Sequence, residues 1–263
     1  MMRRTRVIVA YDGAGFHGSA EQDGRRTVIG ELRAAIEKIV RRPVALVGAG
    51  RTDAGVHGWG QVVSADLPAD TDLADLQRRV NSICAPAITV RDWLFTADPE
   101  FDARYSATYR HYRYDVLNSA VPHPLVAPTT WHVPQPLRLW VMKLACDPLI
   151  GVHDFSSFCR RPKVAEGQPP ASLVRKVISA DWVEVPGDIP GLLRFEIRGT
   201  AFCHQMVRSI VGTLVDVGLG KLHAGDVRAI MLSRDRQGAS HVAPPHGLTL
   251  WEVGYPDGSV REA

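Results

Sequence analysis

The sequence predicts an α+β fold, and three observations carry that expectation. Strand-like alternation and helix-like spacing both recur along the 263 residues, without the regular strand–helix–strand rhythm of a doubly wound sheet. The composition, 45% hydrophobic and 22% charged, is that of a folded globular chain and argues against disorder. No internal repeat or low-complexity tract interrupts the mixture. A boundary near residue 105 divides the chain into an N-terminal α+β half, 1–105, and a C-terminal α+β half, 106–263.

The elements follow in order. Val7 to Tyr11 reads as a strand. Thr27 is positioned to cap a helix whose apolar residues Ile29, Leu32, Ile36 and Ile39 share one face. A glycine-rich loop runs from Gly48 to Gly58, then strand character returns at Gln61 to Ala65. Leu73, Leu76, Val80 and Ile83 line one face of a second helix, and short strands follow at Ile88 to Val90 and Trp93 to Phe95. Phe101 to Asn118 reads as one long strand. Five prolines between Pro122 and Pro136 favour irregular connection, and a helix follows over Leu137 to Leu144. Cys159 to Ser172, with Arg160, Arg161 and Lys163, reads as a basic surface loop. Strands Lys176 to Val185 and Leu192 to Arg198 precede a strongly apolar helix over Gln205 to Val217. A short helix (Asp226 to Leu232) and a strand (Leu248 to Gly254) complete the pattern.

Bulk properties narrow the function only slightly. A net charge of +3 suits an acidic partner such as RNA, but many unrelated enzymes are equally basic. The four cysteines form no C-x-x-C pair, which argues against a zinc knuckle or a disulfide framework and for reduced thiols. The apolar run after the basic start, Val7 to Ala10, is too short for a signal peptide core or a membrane span. A soluble, cytoplasmic protein is expected.

Four residues, at three places in the chain, are candidates for chemistry. Asp53 lies in a loop with glycines at 48, 50 and 55, where the backbone can bring a carboxylate close to a substrate; Asp and Gly are also ordinary turn formers. The phosphate-binding glycine motifs are absent. Tyr112 and Tyr114 alternate with Arg and His along a strand, the interleaving on which flipped bases stack, and equally that of a strand with one buried face. Arg208 sits among Met206, Val207, Ile210, Val211 and Leu214; a buried guanidinium needs an anionic partner, whereas one at a helix end can reach water. Ten histidines show no HExxH or similar spacing, so no metal is expected, and no G-x-S-x-G points to a serine hydrolase.

Taken together, the segments resemble a known family. Arg51-Thr52-Asp53-Ala54-Gly55-Val56-His57 is similar to the active-site motif of TruA-type tRNA pseudouridine synthases. Tyr11-Asp12-Gly13, Phe101-Asp102-Ala103-Arg104, Ser106-Ala107-Thr108 and Tyr112-Arg113-Tyr114 agree in order. So do Asp154-Phe155-Ser156-Ser157-Phe158, Phe202 to Arg208, and Ala243 to Leu248. One stretch departs: where the family usually reads Gly-Trp-Gln-x-Gln, this chain has Gly18-Ser19-Ala20-Glu21-Gln22, which bears on how that edge meets RNA.

The resemblance implies the pseudouridine synthase fold, two α+β halves flanking a central catalytic cleft, and a homodimer. It implies action without a cofactor on uridines 38 to 40 of the tRNA anticodon arm. It assigns Asp53 as catalytic nucleophile, Arg51 as holding the extruded nucleotide, and Tyr112 as stacked on the base. Arg208 would pair with the aspartate and Leu248 would pack near the base. A non-catalytic RNA-binding module and an aspartate-nucleophile hydrolase are the competing readings; neither explains both an acid among RNA-contacting arms and the basic loop.

Overall fold

From Arg4 on, Met2–Tyr11 alternates half-buried and buried side chains and forms strand β1, and that alternation sets the first layer of the fold. The structure is a computed structural model that describes residues 1–161 and 171–256. Its chain falls into two units, residues 1–110 with 249–256, and residues 111–248.

In the first unit β1 lies between β3 (His57–Pro68) and β4 (Ile88–Phe95), antiparallel to both. The two-residue β2 (Val47–Gly48) pairs with β3, and β10 (Leu248–Gly254) joins β3 in parallel. One face of this sheet carries α1 (Val28–Val40) and α2 (Leu73–Cys84). Val28, Leu32 and Ile36 of α1 and Leu76 and Val80 of α2 bury against Val7, Val9, Val63 and Val90. The Thr27 hydroxyl accepts the Gly30 amide at 3.3 Å, and Asp72 accepts those of Ala74 and Asp75. Caps of this kind are worth about 1 kcal/mol each.

The second unit holds β5 (Tyr109–Asn118), beginning at His111, with β9 (Leu192–Gly199), β8 (Val174–Glu184) and β7 (Gly151–Asp154) in that sheet order. β6 (Trp131–Val133) pairs in parallel with β5. Helices α3 (Leu139–Leu144), α4 (Met206–Gly218) and α5 (Asp226–Ser233) complete it. Helix α4 is buried on nearly every side, as its apolar sequence requires.

The α+β class holds, with local differences. The segment 101–108 is not strand, because the Asp102 carboxylate turns back to accept the amides of Arg104 and Tyr105. The two short strands expected near residue 90 are one, β4, bulged where Asp92 takes a φ of +52°. Arg160 and Arg161 are exposed as expected; Lys163 lies outside the described residues. Among the described residues no helix is long and apolar enough to cross a membrane.

Candidate active site

The loop between β2 and β3 is built around its turn. Gly55 has a φ of +79°, and the Val56 amide donates to the Asp53 carbonyl at 3.1 Å. Only glycine takes the third position of such a turn without strain. Asp53 is half-buried at its start, Thr52 is buried, and Arg51 is exposed.

Four side chains anchor this loop, and two of them, Gln61 and Arg110, belong to no motif that the sequence singled out. The Ser19 hydroxyl accepts the Thr52 amide at 2.8 Å, while the Ser19 amide donates to the Thr52 carbonyl at 3.1 Å. The Tyr11 hydroxyl lies 2.8 Å from that of Thr52. Gln61, fully buried on β3, grips Gly50 twice: its Nε2 donates to the carbonyl at 2.7 Å and its Oε1 accepts the amide at 3.3 Å. The Arg110 guanidinium donates to the Ala49 carbonyl at 2.9 Å and to the Arg104 carbonyl at 2.5 Å. A buried polar residue on a core strand was the available signal for Gln61, since such a group persists only when satisfied.

The anchors also explain why separate motifs occur together. A Cβ on Gly13 would stand 2.1 Å from the Val56 carbonyl oxygen, so the Tyr11-Asp12-Gly13 segment must carry glycine there. The Gly13 amide donates to His57 Nδ1 at 3.2 Å. The Phe101-Asp102-Ala103-Arg104 segment supplies the Arg104 carbonyl that holds Arg110. Burial pushes the Tyr11 hydroxyl up to about 12, against hydrogen bonds from Thr52, Gln61 and Ser19 that favour its ionised form. At neutral pH it is therefore an uncharged prop beneath Thr52.

In the second unit Tyr112 is mostly buried and meets Phe202 edge to face, with centroids 5.1 Å apart and planes at 84°. Tyr114 is fully buried and its hydroxyl donates to the Pro244 carbonyl at 2.8 Å. Burial drives the Tyr114 hydroxyl far above its ordinary value, and the nearby Arg208 charge offsets this in part. Tyr114 is thus a core residue, and Tyr112 is the tyrosine nearer the surface. Arg208 is half-buried; its Nε donates to the Ala243 carbonyl at 2.7 Å, and the Ala243 amide donates to the Arg208 carbonyl at 3.1 Å. Arg208 is thereby tied to the turn that leads into Leu248, which is buried. Phe202, six residues before Arg208, is the residue that Tyr112 meets. The structure therefore gathers Arg51 and Asp53 in the first unit, and Tyr112, Arg208 and Leu248 in the second. Among the described residues no group of three or more His, Cys, Asp or Glu is arranged to hold a metal ion.

Comparison with known proteins decides the family. A sequence model described as tRNA pseudouridine synthase matches residues 145–256. The tRNA pseudouridine synthase A of Frankia casuarinae is 41% identical over 96% of this chain and 89% of its own length. That of Methylobacterium nodulans is 40% identical over 98% of each, and that of Bacillus pumilus 35% identical over 96% and 99%. The chain belongs to the tRNA pseudouridine synthase A family. It is, on that membership, an isomerase acting on tRNA.

The whole-chain matches take in the Asp53 loop, whereas the region matched by the family's sequence model contains Arg208 and Leu248 but not Asp53. In this tRNA pseudouridine synthase the departure at Ser19 is not a loss of contact within the protein. Ser19 is a principal anchor of the loop that carries Asp53.

Proposed function

We propose that this chain converts uridine to pseudouridine at positions 38, 39 and 40 of the tRNA anticodon arm, with Asp53 as the nucleophile. The observation that carries this reading is Asp53 itself, half-buried in a loop whose flanking residues are held by Ser19, Tyr11, Gln61 and Arg110. A pre-organised carboxylate is what the chemistry asks of the protein.

The reaction breaks the bond from ribose C1′ to N1, turns the base, and rejoins it through C5. A proton then leaves C5 and one is gained at N1. No atom is gained or lost overall, so the isomerisation calls for no redox or group-transfer cofactor. The target uridine must leave its stack to reach the carboxylate. Arg51, exposed beside Asp53, holds the extruded nucleotide. Tyr112 supplies an aromatic face for the base, Leu248 packs near it, and Arg208 supplies a cation for the site. The enzyme works as a homodimer in the cytoplasm.

Position-resolved mapping of pseudouridine tests the activity. Purified protein incubated with an unmodified tRNA transcript should yield pseudouridine within positions 38 to 40 and nowhere else. Pseudouridine only outside the anticodon arm would refute the site assignment, and none at all would refute the activity.

A further inference from the structure

Among the described residues the α-helices of the first unit, α1 and α2, pack on one face of its sheet, and an unusual row of side chains crosses the other. β3 and β10 run parallel with His57 opposite Thr249 and Gly58 opposite Leu250, so the next pair in register is Trp59 and Trp251. Neighbouring strands lie about 4.8 Å apart, so like residues in register stack. The two indoles do so, with centroids 5.2 Å apart and planes at 7°. Gly60 permits the close approach, since a Cβ there would stand 2.2 Å from the Trp251 carbonyl oxygen.

The direction follows from the same register. A Cβ on Gly58 would stand 2.3 Å from the Tyr11 ring, and Tyr11 belongs to the core beneath α1 and α2. Trp59, one residue on, therefore points to the opposite face. On β4, Val90 pairs with Val9, both in that core, so Arg91 and its partner Ile8 also face away from the helices. The Arg91 guanidinium reaches to 5.3 Å from the Trp59 ring centroid. Despite these neighbours, 45% of Trp59 remains exposed.

An exposed tryptophan flanked by a second indole and a guanidinium matches what an unpaired nucleotide binds: aromatic faces for the base and a cation for its phosphate. Trp59 is six residues from Asp53, so the row lies within about 20 Å of the catalytic loop at strand spacing. We propose that Arg91, Trp59 and Trp251 form a tRNA contact outside the catalytic loop, where Arg91 moves from the Trp59 ring to a phosphate and an unpaired base packs on the indole face it uncovers. This rests on tRNA being the substrate. It adds a second point of attachment that orients the anticodon arm.

The experiment compares Trp59→Leu, Trp59→Phe and Arg91→Gln in tRNA affinity, in KM and kcat for pseudouridine formation, and in sedimentation. Loss of one stacked base should raise Kd and KM for tRNA about 10-fold in Trp59→Leu with little change in kcat. Trp59→Phe should recover most of that loss. Arg91→Gln should flatten the dependence of log affinity on log salt by about 0.7 to 0.9. Wild-type Kd and KM in Trp59→Leu overturn the proposal, as does a loss in Trp59→Leu that Trp59→Phe does not recover. So does a change in oligomeric state that accompanies the loss, which makes the row an interface between copies. Should Trp59→Leu fail to fold, the Phe and Gln variants decide alone. Wild-type protein that binds tRNA through Trp59 yet forms no pseudouridine would sink the catalytic reading and leave the contact standing.

Discussion

Ser19 and Thr52 exchange two hydrogen bonds across 33 residues of chain, the Thr52 amide to the Ser19 hydroxyl at 2.8 Å and the Ser19 amide to the Thr52 carbonyl at 3.1 Å. Both residues are buried, and Thr52 immediately precedes Asp53. Ser19→Ala leaves the Thr52 amide without its acceptor at a cost of about 1–3 kcal/mol. The urea midpoint should fall accordingly at unchanged slope, and single-turnover pseudouridine formation should slow. Unchanged stability and rate would remove Ser19 from the account of the loop.

Gly13→Ala is expected to act from the other side of the same loop. Its Cβ meets the backbone of Val56, at 2.1 Å from the oxygen and 2.5 Å from the carbonyl carbon, and backbone cannot yield as a flexible side chain does. The strain should cost about 1–3 kcal/mol and displace the turn that carries Asp53. Thermal unfolding and kcat should fall together. A variant with wild-type stability would show that the Gly13 and Val56 segments can separate freely.

Stability should fall at alkaline pH through groups that burial keeps protonated. Tyr11 ionises near 10 when unfolded and at about 12 when folded. Its contribution is therefore fully present below pH 10 and is lost as pH rises towards 12, because the unfolded chain sheds the proton first. The two-unit gap is worth about 2–3 kcal/mol. Tyr114 and Cys84, also raised by burial, act with the same sign. Tyr11→Phe should be less stable than wild type at pH 8, where it lacks the bond to Thr52, and the difference should shrink or reverse by pH 12. Denaturation curves at the two values check it; a constant difference would contradict a buried, neutral Tyr11.

Cys203 should be the reactive thiol. A hydrogen bond from Cys159 favours its thiolate and lowers it below the ordinary value, while Cys84, Cys146 and Cys159 are buried and raised. Iodoacetamide near pH 7.5 should label Cys203 first, and Cys203→Ser should remove the fast phase. Cys159→Ala should move the midpoint of the rate profile upward. Equal labelling of Cys84 and Cys203 would contradict the arrangement.

Much of this was legible because it is local. Thr27 announces α1, apolar spacing announces α1 and α2, and the continuous apolar run after Gln205 announces α4. The heptad from Arg51 to His57 marks the loop, and Gly55 takes the positive φ that its turn needs. What escaped depends on partners far along the chain. Residues 101–108 alternate like a strand, yet Asp102 finds its own amides first. Gln61 looks unremarkable, and Ser19 reads only as a departure at an edge that meets RNA, until the fold brings Gly50 and Thr52 to them. The Trp59–Trp251 stack depends on the register of a parallel strand 192 positions later, which no local pattern encodes.

The central claim is that Asp53 carries the chemistry while other residues bind the tRNA, and Asp53→Asn tests it most directly. The amide has the size of the carboxylate but no anionic oxygen to act as nucleophile. Enzyme in excess over tRNA should form no pseudouridine within positions 38 to 40 over many wild-type turnover times, while the Kd for tRNA stays close to wild type. Measurable single-turnover conversion by Asp53→Asn would contradict the claim, and so would loss of conversion matched by an equal loss of binding.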